Sequence, residues 1–151
     1  MMNLQNNQRY LPATFWRRFM ALIYDILIII SLMLVVTAIV VALVGAIYSK
    51  QALENGMLDG NIFFRLMLLS VWFVYYGLSW TRGGQTLGMK PWRLYTVKEN
   101  GKNLNWKDSV LRFMTGMMGL GLLFSIYHPQ NKSLQDIISK TKTLHQSNNT
   151  K

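Results

Sequence analysis

Long apolar blocks alternate with short polar stretches along this chain. The first block runs from Phe15 to Tyr48, about 34 residues or roughly 50 Å as helix, against a bilayer hydrocarbon core of about 30 Å. Ile26 to Ser49 alone is long enough to span, so the head of the block is expected near a headgroup boundary. Thr14 is placed to cap this helix. Between Lys50 and Asn61, the pairs Asn55-Gly56 and Asp59-Gly60 signal turns. Ile62 to Thr81 forms the second block. Arg65 near its start can snorkel, and Tyr75, Tyr76 and Trp80 suit the opposite interface. The third block, Ser109 to Tyr127, is interrupted by Arg112, contains Gly116, Gly119 and Gly121, and ends at His128-Pro129. About 19 residues suffice to cross, so a full third span and a re-entrant or interfacial segment both fit.

Within the polar loop from Arg82 to Asp108, Trp92 to Val97 alternates in polarity, and Glu99-Asn100-Gly101-Lys102 offers a tight turn before Leu104 and Trp106. This predicts a small β-hairpin at the membrane surface. The expected fold is an all-α integral membrane helical bundle with two long spans, a third shorter apolar helix or re-entrant segment, and that hairpin. Residues 1–13 and 144–151 are expected as flexible tails around a membrane domain of residues 14–143.

Composition fits this architecture. The chain is 51% hydrophobic yet carries a formal charge of +10. Its Lys and Arg cluster between the apolar blocks, as in an integral membrane protein and unlike a nucleic-acid binder. Anionic headgroups are the expected partners of these cations. With no cysteine, disulfides, thiolate catalysis and Cys-based metal sites are excluded. The first block is far longer than the roughly 7 to 15 apolar residues of a signal peptide, so it is expected to remain in the mature protein. Arg9, Arg17 and Arg18 before the first block, and the basic second loop, predict a cytoplasmic N-terminus. Lys132, Lys140, Lys142 and Lys151 favour a return of the C-terminus to that side. The expected location is a bacterial plasma membrane.

Candidate chemistry is sparse. Gly83 and Gly88 have the separation of a phosphate-binding loop, but Met89 stands where the lysine is required and a membrane helix precedes it, so that reading fails. A glycine-rich turn at the end of the second span explains the stretch. Met114, Met117 and Met118 lack a His or carboxylate at matching helical spacing and read as packing. Neither His128 nor His145 falls in a hydrolase or metal motif. No enzyme activity, metal or cofactor is expected.

Three blocks resemble the RDD family of membrane proteins, named for one arginine and two aspartates. Arg18 to Asp25 is similar to the family's Arg-x-x-Ala-x-x-x-Asp opening. Gly84-Gln85-Thr86-Leu87-Gly88 resembles its Gly-Gln-Thr-Leu-Gly-Lys loop, with Lys90 one residue late. Leu134-Gln135-Asp136 through Thr141 resembles its closing Leu-His-Asp block, with Gln135 in place of histidine. Tyr127-His128-Pro129 lacks the Asp that many relatives have before the Pro. The resemblance implies transport of an unidentified ligand as one possible role.

A charge inside a span costs at least about 2.5 to 3.5 kcal/mol unless paired or hydrated, so Asp25 needs partners. Seven helical residues rotate about 700°, which puts Arg18 and Asp25 on one face but about 10.5 Å apart along the axis. Helical side chains lean toward the N-terminus, so Arg18 points away from Asp25. The expected cluster therefore pairs Asp25 with Arg112 and Arg18 with Asp136. A full third crossing would hold Asp136 roughly 30 Å from Arg18. Two functions are open: a membrane adaptor or structural role in which these four charges form a static network, and transport or ion coupling at Asp25, which would need a homo-oligomer because so few spans enclose little volume.

Overall fold

The computed structural model describes residues 9–48, 51, 53, 55–117 and 133–147. Strand β1 (Arg9–Pro12) leads directly into the long helix α1 (Phe15–Ile47). Thr14 occupies the N-cap with an extended backbone but makes no side-chain capping bond. A second apolar helix, α2 (Ile62–Leu78), is capped by Asn61, whose side chain accepts the Phe63 and Phe64 N–H groups at 2.9 and 3.4 Å. It closes in one π-helical turn, Ser79–Gly83, and Gly84 stops it in the left-handed conformation with φ 62°. Then come strand β2 (Leu94–Lys98), helix α3 (Trp106–Met117), the short helix α4 (Leu134–Ile138) and strand β3 (Thr141–Ser147).

Both α1 and the α2 segment are long and apolar enough to cross a membrane. Their surfaces agree with that use: Leu34, Val35, Ile39, Leu43 and Ile47 on α1, and Phe63 and Leu66 on α2, are all exposed. Along α1 the buried residues are only Arg18, Ala21, Asp25 and Ile29. These recur at helical spacing and form one stripe at one end of the helix.

The strands form a three-stranded sheet in the order β1-β3-β2, antiparallel throughout. Pro12 lies opposite Leu144, while β2 runs from Leu94 opposite His145 to Lys98 opposite Thr141. The fold is thus mostly helical with a small sheet rather than purely α. The expected hairpin is corrected too. Its turn exists, with Gly101 at φ 79° and the Gly101 N–H bonded to the Lys98 carbonyl at 2.9 Å. Its second arm is not a strand, because Leu104 is buried with Trp80 and Phe113 beneath the helices. The partner of β2 is instead β3, some forty residues on in sequence. Arg9–Pro12 and the end of β3, expected in tails, are the other members of the sheet.

Two apolar clusters tie sheet to helices. Ala13, Ala21, Met89 and Leu94, with Trp92 against them, pack the head of α1 onto the loop and β2. Trp80, Leu104 and Phe113, with Trp72, Phe73 and Tyr76, join α2 to α3. Lys98 reaches Asp108 at 2.7 Å and fastens the end of β2 to the first turn of α3. The apolar continuation expected over 118–127 lies outside the described residues, but the chain on either side of it meets: a Cβ on Gly116 would sit 2.8 Å from Gln135 Oε1.

Helix packing at Gly77 gives a test. A Cβ there would lie 2.6 Å from the Trp106 ring. Gly77→Val is expected to displace that indole and destabilise the protein by about 1–3 kcal/mol, read as a lowered thermal midpoint in detergent.

Candidate functional site

The stripe on α1 meets two separate partners. Arg18 lies one turn into the helix and turns back toward the sheet. Its Nε donates to the Ala13 carbonyl at 3.1 Å, Nη2 to the Thr143 carbonyl at 3.3 Å, and Nη1 to Asp136 Oδ2 at 2.5 Å. Arg112, on α3, approaches the same carboxylate from the other side, with Nη1 2.6 Å from Asp136 Oδ1. Its Nη1 also donates to Thr141 Oγ1 at 2.6 Å and its Nη2 to Thr143 Oγ1 at 3.2 Å. Thr143 Oγ1 donates to Asp136 Oδ1 at 3.1 Å, and the Ser133 N–H donates to Oδ2 at 3.3 Å. Asp136 is therefore held by two guanidiniums, a hydroxyl and an amide.

All three charged side chains are nearly sealed, with exposures of 6% for Arg18, 4% for Arg112 and 0% for Asp136. Burial alone would push the Asp136 carboxyl up, but Arg112 and Arg18 outweigh it and hold it well below the usual carboxylate range. Trp80 supplies a further contact, its ring centroid 5.3 Å from the Arg112 guanidinium carbon.

Asp25 belongs to a different constellation. Its Oδ1 accepts from Tyr75 Oη at 2.6 Å and from the Gly88 N–H at 2.9 Å, and its Oδ2 accepts from Thr86 Oγ1 at 2.6 Å. All three donors are neutral. The expected Asp25–Arg112 pair is thus replaced by Arg112–Asp136, while the expected Arg18–Asp136 pair is present. The physical reason is position: Thr141 and Thr143 on β3 draw the Arg112 head toward Asp136, and the loop after α2 reaches Asp25 first.

That loop explains its own composition. Gly84, in the left-handed region, sends its carbonyl to the Thr96 N–H at 2.6 Å, anchoring the loop to β2. Gln85 continues the turn, its N–H reaching the Ser79 carbonyl at 3.3 Å. Thr86 turns inward to Asp25. Gly88 presses against α1 so closely that a Cβ would lie 2.5 Å from the Ala21 carbonyl and 2.7 Å from Asp25 Oδ1. Ala21 is small and buried because the loop backbone crosses there. The Arg-x-x-Ala-x-x-x-Asp pattern is one face of α1 read in order: guanidinium to the sheet, bare surface for Gly88, carboxylate for the loop donors.

Tyr75, Ser133 and Thr143 were missed in the sequence reading, and Thr141 was noted only as the end of a motif. Tyr75 read as an interface aromatic, and nothing at residue 75 signals a partner fifty residues earlier. The Thr141–Thr143 alternation was a usable signal, since residues two apart on a strand share a face. His145 sits on β3 opposite Leu94 and takes no part in the cluster; burial, then Arg17 and Arg93, push its pKa down. His128 lies outside the described residues. No group of three metal-ligating side chains occurs among the described residues.

A cavity of about 460 Å³ opens beside both constellations. Arg18, Asp25, Thr86 and Arg112 line its polar end, and Ile29, Met33 and Trp72 its apolar end.

Two bilayer-length helices joined to a small sheet by buried charges define an integral membrane protein. Residues 12–140 match the RDD family, and the chain belongs to that family. Comparison with curated proteins and with solved structures gave no match.

Two outcomes test the site. Asp136→Asn leaves two buried guanidiniums without their counter-ion and is expected to cost about 3–5 kcal/mol in unfolding measurements. Because the folded pKa of Asp136 is depressed, its stabilisation is complete above the ordinary unfolded value of about 4 and is lost as acid carries the pH down toward the folded value. Asp136→Asn should remove that share of the acid dependence. At the loop, Gly88→Ala is expected to lose about 1–3 kcal/mol through the clash with α1. Gly83→Ala, whose Cβ meets nothing within 4 Å, should stay within about 0.5 kcal/mol of the parent.

Proposed function

We propose that the protein is a membrane scaffold or adaptor, in which the Arg18–Asp136–Arg112 cluster fixes the two spans to a surface platform built from the sheet and α3. The observation that carries this reading is the single sealed carboxylate of Asp136, which joins α1, α3 and the β3 segment at once. Such an arrangement resists motion between the parts it links. A static network needs no ligand, reaction or cofactor, and the protein is read as a non-enzyme.

The platform is assigned to the cytoplasmic face of a bacterial plasma membrane, with the N-terminus there, because Lys and Arg crowd the adjoining loop. The pairing of β1 with β3 supports placing both ends on that face. The contact of Asp136 with Arg18 likewise supports a return of residues 133–147 to the face that holds the head of α1. Its basic surface is suited to anionic headgroups and not to nucleic acid.

A second reading, transport or ion coupling in a homo-oligomer, draws on Asp25. This carboxylate lines the cavity and, among the described residues, is held by neutral donors alone. One experiment separates the two. In proteoliposomes carrying a pH-sensitive dye and challenged with Na⁺ or K⁺ gradients, the scaffold reading expects no flux above protein-free vesicles. A flux that disappears in Asp25→Asn would replace it with ion coupling. Reporters fused to the two termini should both be active on the cytoplasmic side; opposite sides would overturn the proposed return.

A further inference from the structure

The cavity holds two buried hydrogen-bond donors that the fold leaves unused. Arg112 Nε and Trp72 Nε1 have no hydrogen-bond partner among the described residues, although each is shielded from water. Leaving a buried donor unpaired is costly, more so when the group is charged, so such atoms mark places where an acceptor belongs. Both residues line the same cavity. Arg112 is nine-tenths buried and more, and its other guanidinium nitrogens are already committed to Asp136, Thr141 and Thr143.

Charge sharpens the class of ligand. Two arginines share the Asp136 carboxylate, so that triad by itself carries one positive charge, and the unused Arg112 Nε–H is a charged donor facing the cavity. Asp25 beside it is engaged by Tyr75, Thr86 and Gly88 and makes no ion pair with either arginine. Farther along α1 the wall becomes aliphatic, through Ile29 to Met33. Ile26 and Ile30, which also line the cavity, are 45% and 50% exposed, on a helix that otherwise faces the bilayer. The space is therefore open sideways to lipid. At about 460 Å³ it falls within the usual range of ligand pockets, roughly 300–1,000 Å³.

We propose that this cavity is a binding site for an anionic phospholipid that enters from the bilayer. Its head oxygens accept from Arg112 Nε, its acyl chain lies along Ile26, Ile29, Ile30 and Met33, and an acceptor farther down the molecule meets Trp72 Nε1. This goes beyond the scaffold reading, because a static network requires no occupant.

Native mass spectrometry of the full chain in detergent tests the proposal, with phosphatidylglycerol, phosphatidylcholine and glycerol 3-phosphate as separate titrants. The expected result is saturable one-to-one binding of phosphatidylglycerol, at least tenfold tighter than phosphatidylcholine, with no comparable binding of glycerol 3-phosphate. Trp72→Phe removes the orphan N–H while keeping an aromatic ring, and should weaken phosphatidylglycerol binding three- to tenfold in protein that still unfolds cooperatively. Met33→Trp fills the apolar end and should weaken it further. Equal binding of the two lipids, or indifference to both substitutions, would overturn the proposal. So would binding of glycerol 3-phosphate as tight as the lipid, which would make the site one for a soluble anion. Absence of saturable lipid binding, as expected if a second copy of the chain fills the space, would overturn it as well. None of these outcomes depends on ion flux, so the lipid site and the scaffold reading fail separately.

Discussion

A carboxylate shared by two guanidiniums, all sealed from water, is the interaction on which the rest of this structure depends. Asp136 reaches Arg18 and Arg112 at 2.5 and 2.6 Å, and these three residues belong to parts of the chain separated by more than twenty residues on each side. Desolvating such groups is costly, and their attraction offsets the cost only when geometry and additional hydrogen bonds are complete. Here Thr141, Thr143 and Ser133 supply those bonds, and among the described residues only Arg112 Nε is left over, toward the cavity. The arrangement specifies one way of attaching a surface sheet to the head of a membrane helix, and a misplacement of any one element leaves a buried charge unmatched.

The second aspartate illustrates a different solution to the same problem. Asp25 meets no cation among the described residues, yet each of its oxygens is satisfied, two donors to one and one to the other. The loop that does this must come within van der Waals range of the α1 backbone, which only Gly88 over Ala21 permits. Arg18, Ala21 and Asp25 thus form a single surface with two customers, the sheet and the loop. The cavity lies where those two meet, and its polar end sets Arg18 and Arg112 of the triad beside Asp25.

Much of this was legible in the sequence, and what escaped did so for physical reasons. Two spans follow from nearly continuous apolar length at residues 15–48 and 62–81, and the shared face of Arg18 and Asp25 follows from helical rotation. Spacing excluded a direct Arg18–Asp25 bond, and the family resemblance supplied Asp136 as the expected partner of Arg18. Which carboxylate takes Arg112 did not follow, because that choice is made by Thr141 and Thr143, and their placement depends on β3 pairing with two distant strands. Periodicity shows that a strand exists and says little about its partner: the alternation at residues 92–97 was read as half of a hairpin, whereas its neighbour is β3. Arg9–Pro12 is too short to display a period at all. Tyr75 donates to Asp25 from near the end of an apolar span, where an interfacial aromatic residue has several ordinary reasons to be.

The central claim is that the two arginines act through one carboxylate as a coupled unit. A double-mutant cycle between Arg112→Gln and Asp136→Asn, read by unfolding in detergent, addresses it most directly. Groups in one buried network interact by about 0.5–3 kcal/mol beyond the sum of their separate effects. The account predicts coupling in that range, with the double variant less damaged than additivity requires. Additive losses, with no coupling between the two positions, would contradict it.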